Sequence, residues 1–318
     1  MTALRIAVIG AGHMGRLHAA KIAALRDAEG AVTLAGVADI DAERAARAGR
    51  DFGARSVLAF RELLADADAA IVAVPTVAHF EVVDAVLAAG LDVLVEKPIA
   101  ASMEQAEALL ARAAAGGRVL QVGHLEWFNA ALVAMRGRVR RPRFVEVHRM
   151  GPYPGRATDV DIVRDLMIHD IDIVQRLVGE EPEAVEGIGV PVLSHEVDIA
   201  NARLRFPGGC VANFTASRVS PTPMRKMRFF QADGYFSIDF LAQSAVILRR
   251  QVEGDAPPRI DIEPMRFDPA DALDAQLRDF LEAIRTRRVG DGGTAAALRA
   301  LRTALRVVAA LPPLDELA

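Results

Sequence analysis

LRIAVIGAGHMGRLHAA, Leu4 to Ala20, decides the fold. Leu4 to Ile9 is a short apolar, β-rich run, and GAGHMG, Gly10 to Gly15, follows it directly. Beyond the glycines, apolar residues recur at three- and four-residue spacing, which predicts a helix over His13 to Ala28. A strand that passes through a glycine turn into a helix is built for the pyrophosphate of a dinucleotide. The glycines permit the tight turn, the close approach of backbone to phosphate, and close helix–strand packing. The helix N-terminus adds amide donors and a favourable dipole. Gly10, Gly12, His13, Met14 and Gly15 are therefore candidate cofactor contacts.

Working outward, the runs Thr33 to Ala38, Ala69 to Val74, Leu91 to Val95 and Val119 to Val122 alternate with helical segments such as Val77 to Ala89. Strands separated by helices predict parallel βαβ units in a doubly wound sheet. The second run ends at Asp39, where a carboxylate is placed to accept hydrogen bonds from an adenosine ribose. That carboxylate repels a 2′-phosphate, and Ile40 and Asp41 offer no cation for one, which favours NAD over NADP; Arg44 is the nearby counter-argument. Pro75 and Thr76 end the next strand near the expected cofactor crevice, and His79 follows on a helix, as a cofactor contact or an ordinary helix residue.

After about His124 the texture changes. Two helical stretches, Asn129 to Val139 and Asp161 to Val178, precede a series of strand-like runs: Ala200 to Phe206, Cys210 to Val219, Lys226 to Ala232, Tyr235 to Leu241 and Ala245 to Val252. Successive strands with short turns predict an antiparallel or mixed sheet. Gly254 to Pro258 reads as a loop, and helices over Ala272 to Arg287 and Thr294 to Leu311 close the chain. The expected organisation is a first domain over 1–123 and an α/β domain over 124–318, with the closing helices able to pack back on the first.

The 318 residues suit two domains. A net charge of -4 gives no reason to invoke nucleic acid, and no apolar run approaches the roughly 18 residues of a membrane helix. The single cysteine, Cys210, cannot form an intrachain disulfide. A soluble, cytoplasmic protein is the expectation, with no metal site.

Lys97 stands out because the chain has three lysines, Lys21, Lys97 and Lys226, against 35 arginines. Lysine is a compact charge that shares or gives up a proton readily, which guanidinium does not. Glu96 and Lys97 follow the Leu91 to Val95 run, at the carboxyl end of a strand, where open α/β sheets keep their ligands. In RDLMIHDIDIVQRLVG, Arg164 to Gly179, a helix would gather Asp165, His169 and Asp172 on one stripe. The bland alternative is a solvated stripe with Asp172 paired to Arg176. Moving hydride from a secondary alcohol to nicotinamide needs a base for the hydroxyl proton and a cation beside the developing alkoxide. His169 suits the first task, Lys97 the second, and Asp165 can orient the histidine or bind a neighbouring hydroxyl. Lys97 and His169 could exchange roles.

In this order and spacing, GAGHMG, Asp39, Glu96-Lys97-Pro98 and the Asp165/His169 pair resemble the glucose–fructose oxidoreductase and inositol dehydrogenase family, Gfo/Idh/MocA. The resemblance runs nearly the whole chain and includes the late helix with Leu277, Phe280, Leu281 and Ile284. It implies an N-terminal Rossmann domain and a C-terminal α/β domain with a large open, mostly antiparallel sheet that often serves as an oligomer surface, hence a homodimer or homotetramer. It also implies hydride exchange between NAD and a sugar-like hydroxyl, with Lys97, Asp165 and His169 as catalytic and substrate-binding positions. Asp159-Val160-Asp161 and Met167 stand where many members have glycines. DLMIHDID and GHLEWFN look most similar to the branch that oxidises UDP-N-acetylglucosamine-type sugars at the 3-hydroxyl, although that branch usually reads Arg-Phe-Asn-Pro where this chain has Trp127-Phe128-Asn129-Ala130. Eight arginines from Arg136 to Arg164 lean the same way, because arginine grips phosphate bidentately. Arg156, just before the catalytic helix, is the best placed of them. The alternatives are a free cyclitol or monosaccharide dehydrogenase of the myo-inositol kind, and an NAD-binding regulatory protein without catalysis.

Overall fold

The computed structural model describes residues 3–153, 161–251, 259–268, 270–288 and 293–313. In chain order the first elements are β1 (Leu4–Ile9), α1 (His13–Glu29), β2 (Val32–Ala38), α2 (Ala42–Phe52), β3 (Ser56–Val57), β4 (Ala69–Val72), α3 (Thr76–Ala88), β5 (Asp92–Glu96), α4 (Met103–Gly116) and β6 (Leu120–Gly123). Then come α5 (Ala130–Arg136), β7 (Phe144–Met150), α6 (Ile168–Val178), β8 (Ala184–Val190), β9 (Ile199–Arg205), β10 (Val211–Ser217) and β11 (Met224–Gln231). β12 (Gly234–Asp239), β13 (Ser244–Gln251), β14 (Arg259–Arg266), α7 (Ala272–Thr286) and α8 (Thr294–Ala309) complete the described elements.

The first sheet has the order β3-β2-β1-β4-β5-β6 and is parallel throughout. A parallel sheet is covered on both faces, so its strands are apolar runs rather than alternating ones. β4 shows this: all four of its residues are buried. Ile6, Val8, Ile71 and Leu94 share one apolar cluster with Ile22 of α1. Leu277, Phe280, Ala283 and Ile284 of α7 belong to the same cluster, so a helix late in sequence completes the core of the first sheet. Full burial of a side chain the size of Phe280 contributes roughly 1.5–3 kcal/mol. The end of this helix is fastened electrostatically as well. Arg287 Nη1 lies 2.8 and 2.9 Å from the two carboxylate oxygens of buried Asp92, which also accepts the Val119 amide at 2.8 Å.

The chain forms two compact units, residues 1–125 with 273–298, and residues 126–272 with 299–318. The sequence reading puts the boundary after residue 123, with the closing helices able to pack back on the first domain; residues 273–298, which hold most of α7, return to the first unit. Apolar burial at Leu277 and Phe280 is the physical reason for that return.

The second sheet is β14-β13-β12-β11-β7-β10-β9-β8. Every pairing in it is antiparallel except β7 with β10. Four strands, β3, β7, β8 and β14, do not stand out in the sequence as strands. β7 is the instructive one, since it lies mid-sheet between β10 and β11. Its alternation buries Val145, Val147 and Arg149 on one face and leaves Phe144, Glu146, His148 and Met150 half-buried on the other. An arginine on the inward face hides the period-two pattern. Among the described residues, no helix is long and apolar enough to cross a membrane.

Candidate active site

The glycine turn of the first unit divides its three glycines between two jobs. Gly10 has φ +97°, and a Cβ there would lie 2.4 Å from Ala73 O. A Cβ at Gly15 would lie 1.7 Å from Gly10 O, so α1 packs on the turn only without one. Both serve the chain itself. A Cβ at Gly12 would meet nothing within 4 Å, and no side chain caps the α1 N-terminus that it precedes. Open space in front of uncapped helix amides is what a pyrophosphate requires, so the residues present fit a dinucleotide. His13 is exposed and Met14 half-buried beside this space.

Asp39, directly after β2, is tied to the same turn. Its Oδ2 accepts the Ala11 amide at 2.7 Å and its Oδ1 the Asp41 amide at 2.9 Å. Arg44, the cation that weakened the case for NAD, stands between two acids, with Nε 3.6 Å from Asp39 Oδ1 and 3.3 Å from Asp41 Oδ2. The Arg44 amide and side chain hold the Asp41 carboxyl below its ordinary range. The carboxylates are thus already matched to the nearby positive charge, which a 2′-phosphate would need for itself.

β4 ends at Val72, two residues earlier than the sequence suggests, and Pro75 and Thr76 begin α3. Pro75 is exposed and Thr76 half-buried. His79 is 1% exposed, with Nδ1 2.7 Å from Pro98 O and Nε2 2.9 Å from Val74 O. Both ring nitrogens face carbonyls of the chain, which leaves neither for a cofactor. Glu96 ends β5 and Lys97 follows it, both half-buried. Glu96 Oε1 lies 2.8 Å from Nε2 of His18, a fully buried histidine of α1. A Cβ at Gly123 would come within 3.0 Å of Glu96 Oε2, so Gly123 makes room for this carboxylate. His18 was not legible as a site residue because it lies five positions into an ordinary amphipathic helix.

In the second unit, Asp165 and His169 are both half-buried. The expected single α-helix from Asp161 is interrupted by a π-helical turn over Val163–Met167, and α6 starts only at Ile168. A π turn holds more residues than an α turn and rotates the side chains before it relative to those after it. The predicted stripe therefore divides. Asp172 is 1% exposed and its two carboxylate oxygens take Nε of Arg176 at 3.0 and 2.9 Å. Arg176 and Arg136 each place a guanidinium over the Trp127 ring, 4.7 and 4.9 Å from its centroid. Asp161 prepares the π turn: its Oδ1 accepts the amides of Val163 at 3.0 Å and Arg164 at 2.9 Å, and Arg164 pairs with its Oδ2.

Directly behind His169 in sequence, Asp170 is buried and bound by both prongs of Arg149, 2.8 Å from Nε and 2.9 Å from Nη2. Nη1 of Arg149 donates to Glu126 at 2.9 Å, and Arg225 adds a contact to the same oxygen at 3.3 Å. Burial pushes the Asp170 carboxyl above its ordinary range, and Arg149 pulls it back. Burial also opposes charge on Arg149, yet Asp170 and Glu126 hold it protonated. This network anchors α6 to β7, and the sequence disguised its central member as one more arginine in a basic run. Three others of that run are engaged elsewhere: Arg138 with Glu263 at 2.7 Å, Arg143 with Gly208 O at 3.3 Å, Arg140 with Gly137 O at 3.4 Å. Arg156 lies outside the described residues.

Residues 4–124 match the model of an oxidoreductase family with an NAD-binding Rossmann fold, and residues 131–237 match the GFO/IDH/MocA C-terminal domain. The chain is 38% identical over 310 residues to a UDP-N-acetylglucosamine 3-dehydrogenase of Acidithiobacillus ferrooxidans, covering 96% of this chain and 97% of that one. A solved structure of the Acidithiobacillus ferrooxidans enzyme superposes with a TM-score of 0.90 at 37% identity, over 98% of both chains. A myo-inositol dehydrogenase of Streptomyces leeuwenhoekii is 32% identical over 69% of this chain and 71% of its own. A levoglucosan dehydrogenase in complex with NADH and levoglucosan shares the fold, with a TM-score of 0.87 at 18% identity over 99% of this chain and 98% of its own.

Proposed function

The chain belongs to the GFO/IDH/MocA oxidoreductase family, and we propose that this NAD-dependent dehydrogenase oxidises the 3-hydroxyl of a UDP-N-acetylamino sugar. The observation that carries this reading is likeness of extent. The UDP-N-acetylglucosamine 3-dehydrogenase matches over 96% of the chain, whereas the inositol dehydrogenase matches over 69%.

NAD, when bound, accepts the hydride from the carbon that carries the hydroxyl. The glycine turn and the uncapped α1 N-terminus would hold its pyrophosphate, and Asp39 its adenosine ribose. His169 takes the hydroxyl proton, a task suited to a side chain that titrates near neutral pH. The Lys97 ammonium stabilises the oxygen as negative charge develops on it. Asp165, in the turn before His169, orients the imidazole or binds a neighbouring hydroxyl. Exposed apolar side chains on the outer strands of the second sheet, Ile188 on β8 with Ile260 and Ile262 on β14, support assembly into a homodimer or homotetramer.

The test follows NADH absorbance after addition of UDP-N-acetylglucosamine or myo-inositol to the protein with NAD. Turnover with the nucleotide sugar supports the proposal. Turnover with myo-inositol alone transfers the chain to free polyols, and NAD binding without turnover of either leaves another sugar or a regulatory protein.

A further inference from the structure

Two buried histidines hold Glu96-Lys97-Pro98 from behind, and their partners differ in kind. His18 meets a carboxylate, as an imidazole N–H ordinarily does. His79 meets two carbonyl oxygens, Pro98 O at 2.7 Å from Nδ1 and Val74 O at 2.9 Å from Nε2. A carbonyl only accepts. A neutral imidazole has one N–H and one lone pair, so it satisfies one carbonyl and sets lone pair against lone pair at the other. Only the imidazolium donates to both.

We propose that His79 is the positioning residue for Lys97. Its ring, carried by α3, ties the carbonyl of Pro98, next to Lys97, to the carbonyl of Val74, just beyond β4. The tie has one arm when the ring is neutral and two when it is protonated. This inference rests on the reading of Lys97 as a catalytic residue and adds the means by which the fold aims it.

The surroundings decide when each form operates. Burial presses the ring below its ordinary value of 6.5, while the two carbonyls and Glu96 favour its charge and Lys97 opposes it. Among the described residues these are the charged groups acting on the ring, Glu96 ending β5 and Lys97 following it; Val74 and Pro98 contribute only carbonyls. The second arm is therefore recruited as pH falls below the ordinary histidine range. A displacement near 1 Å at a reacting group can cost about a hundredfold in rate, so a tie one residue from Lys97 has leverage on turnover without touching substrate.

Two substitutions grade the tie. His79→Gln keeps an amide donor that does not titrate, and His79→Leu removes every donor. The first readout needs no turnover. With three lysines in the chain, an amine-selective reagent followed by peptide mass spectrometry reads Lys97 against Lys21 and Lys226 as internal controls. The expected result is a several-fold change in Lys97 labelling in His79→Leu, a smaller one in His79→Gln, and none at the controls. The second readout is the kcat ratio of wild type to His79→Gln with the sugar that the enzyme oxidises. That ratio should widen as pH falls from about 7.5 to well below the ordinary histidine value of about 6.5, as wild type gains its second arm. The NAD dissociation constant should stay within about threefold.

Unchanged Lys97 labelling in both variants overturns the proposal. A kcat ratio that is flat with pH also overturns it, because a side chain that merely fills space does not titrate. If no sugar is oxidised, the proposed function fails while the labelling still decides the tie. Should His79→Leu not fold, His79→Gln carries both readouts.

Discussion

Replacing Arg149 with methionine puts the buried network under α6 to a quantitative test. The guanidinium makes three charge-assisted bonds, at 2.8 and 2.9 Å to Asp170 and 2.9 Å to Glu126. Glu126 would keep Arg225 at 3.3 Å, but buried Asp170 would lose both bonds that Arg149 makes to it. Removing one partner of a buried pair costs about 3–5 kcal/mol, most of it the penalty on the charge left behind. Urea unfolding read at constant slope measures this as a shift in midpoint. The sign with pH is fixed by Asp170. Burial raises its carboxyl pKa in the folded state, so its contribution is fully present below the ordinary carboxylate value and is lost as pH rises through the raised one. Without Arg149, which pulls that pKa down, the loss is larger. The gap between wild type and Arg149→Met should therefore narrow as pH falls through the carboxylate range. Adding Asp170→Leu should return most of the stability, since apolar groups of similar volume replace a buried pair nearly neutrally. A loss below about 1 kcal/mol, or a gap indifferent to pH, would refute the reasoning.

Gly12→Val should weaken NAD binding by more than about tenfold, measured by fluorescence titration, while the melting temperature holds, because its Cβ meets nothing within 4 Å. Asp39→Ala removes the acceptor of the Ala11 amide and one of the two acids beside Arg44. Its NAD affinity should fall about tenfold and its preference should move toward NADP, read as the ratio of the two dissociation constants. Asp198 is buried and held by Arg218 at 2.7 Å and by the amides of Val192, Leu193 and Ser194 at 2.9, 2.6 and 2.8 Å. Burial opposes its charge, yet these donors depress its pKa, so its stabilisation is present above the unfolded carboxylate value near 3.9 and fades as pH falls through the folded one. Asp198→Asn should therefore lie furthest below wild type at neutral pH and converge on it in acid, as followed by urea midpoints.

Sequence legibility tracked how locally each feature is determined. The glycine turn, Asp39 and the apolar runs of the first sheet could be read because a parallel strand buried on both faces is written as a continuous run. Lys97 draws attention by the rarity of its type, and its role is a proposal. β7 could not, because its inward face carries Arg149, whose partners Asp170 and Glu126 come from elsewhere in the chain. The π turn before His169 was equally hidden, since one extra residue in a turn leaves the apolar spacing nearly unchanged. His79 could be read only as an alternative between helix filler and cofactor contact; what it does depends on two carbonyls, and carbonyls have no letter in the sequence.

The α7 contribution to the first sheet has a consequence for synthesis. A ribosome releases β1 to β6 long before Leu277, Phe280 and Ile284 exist, so the nascent Rossmann sheet waits with part of one apolar cluster uncovered while the whole second sheet is made. Its maturation is thus coupled to synthesis of residues 126–272, which belong to the second unit. A fragment ending at Leu125 should be far less soluble than one in which residues 273–298 are rejoined to it.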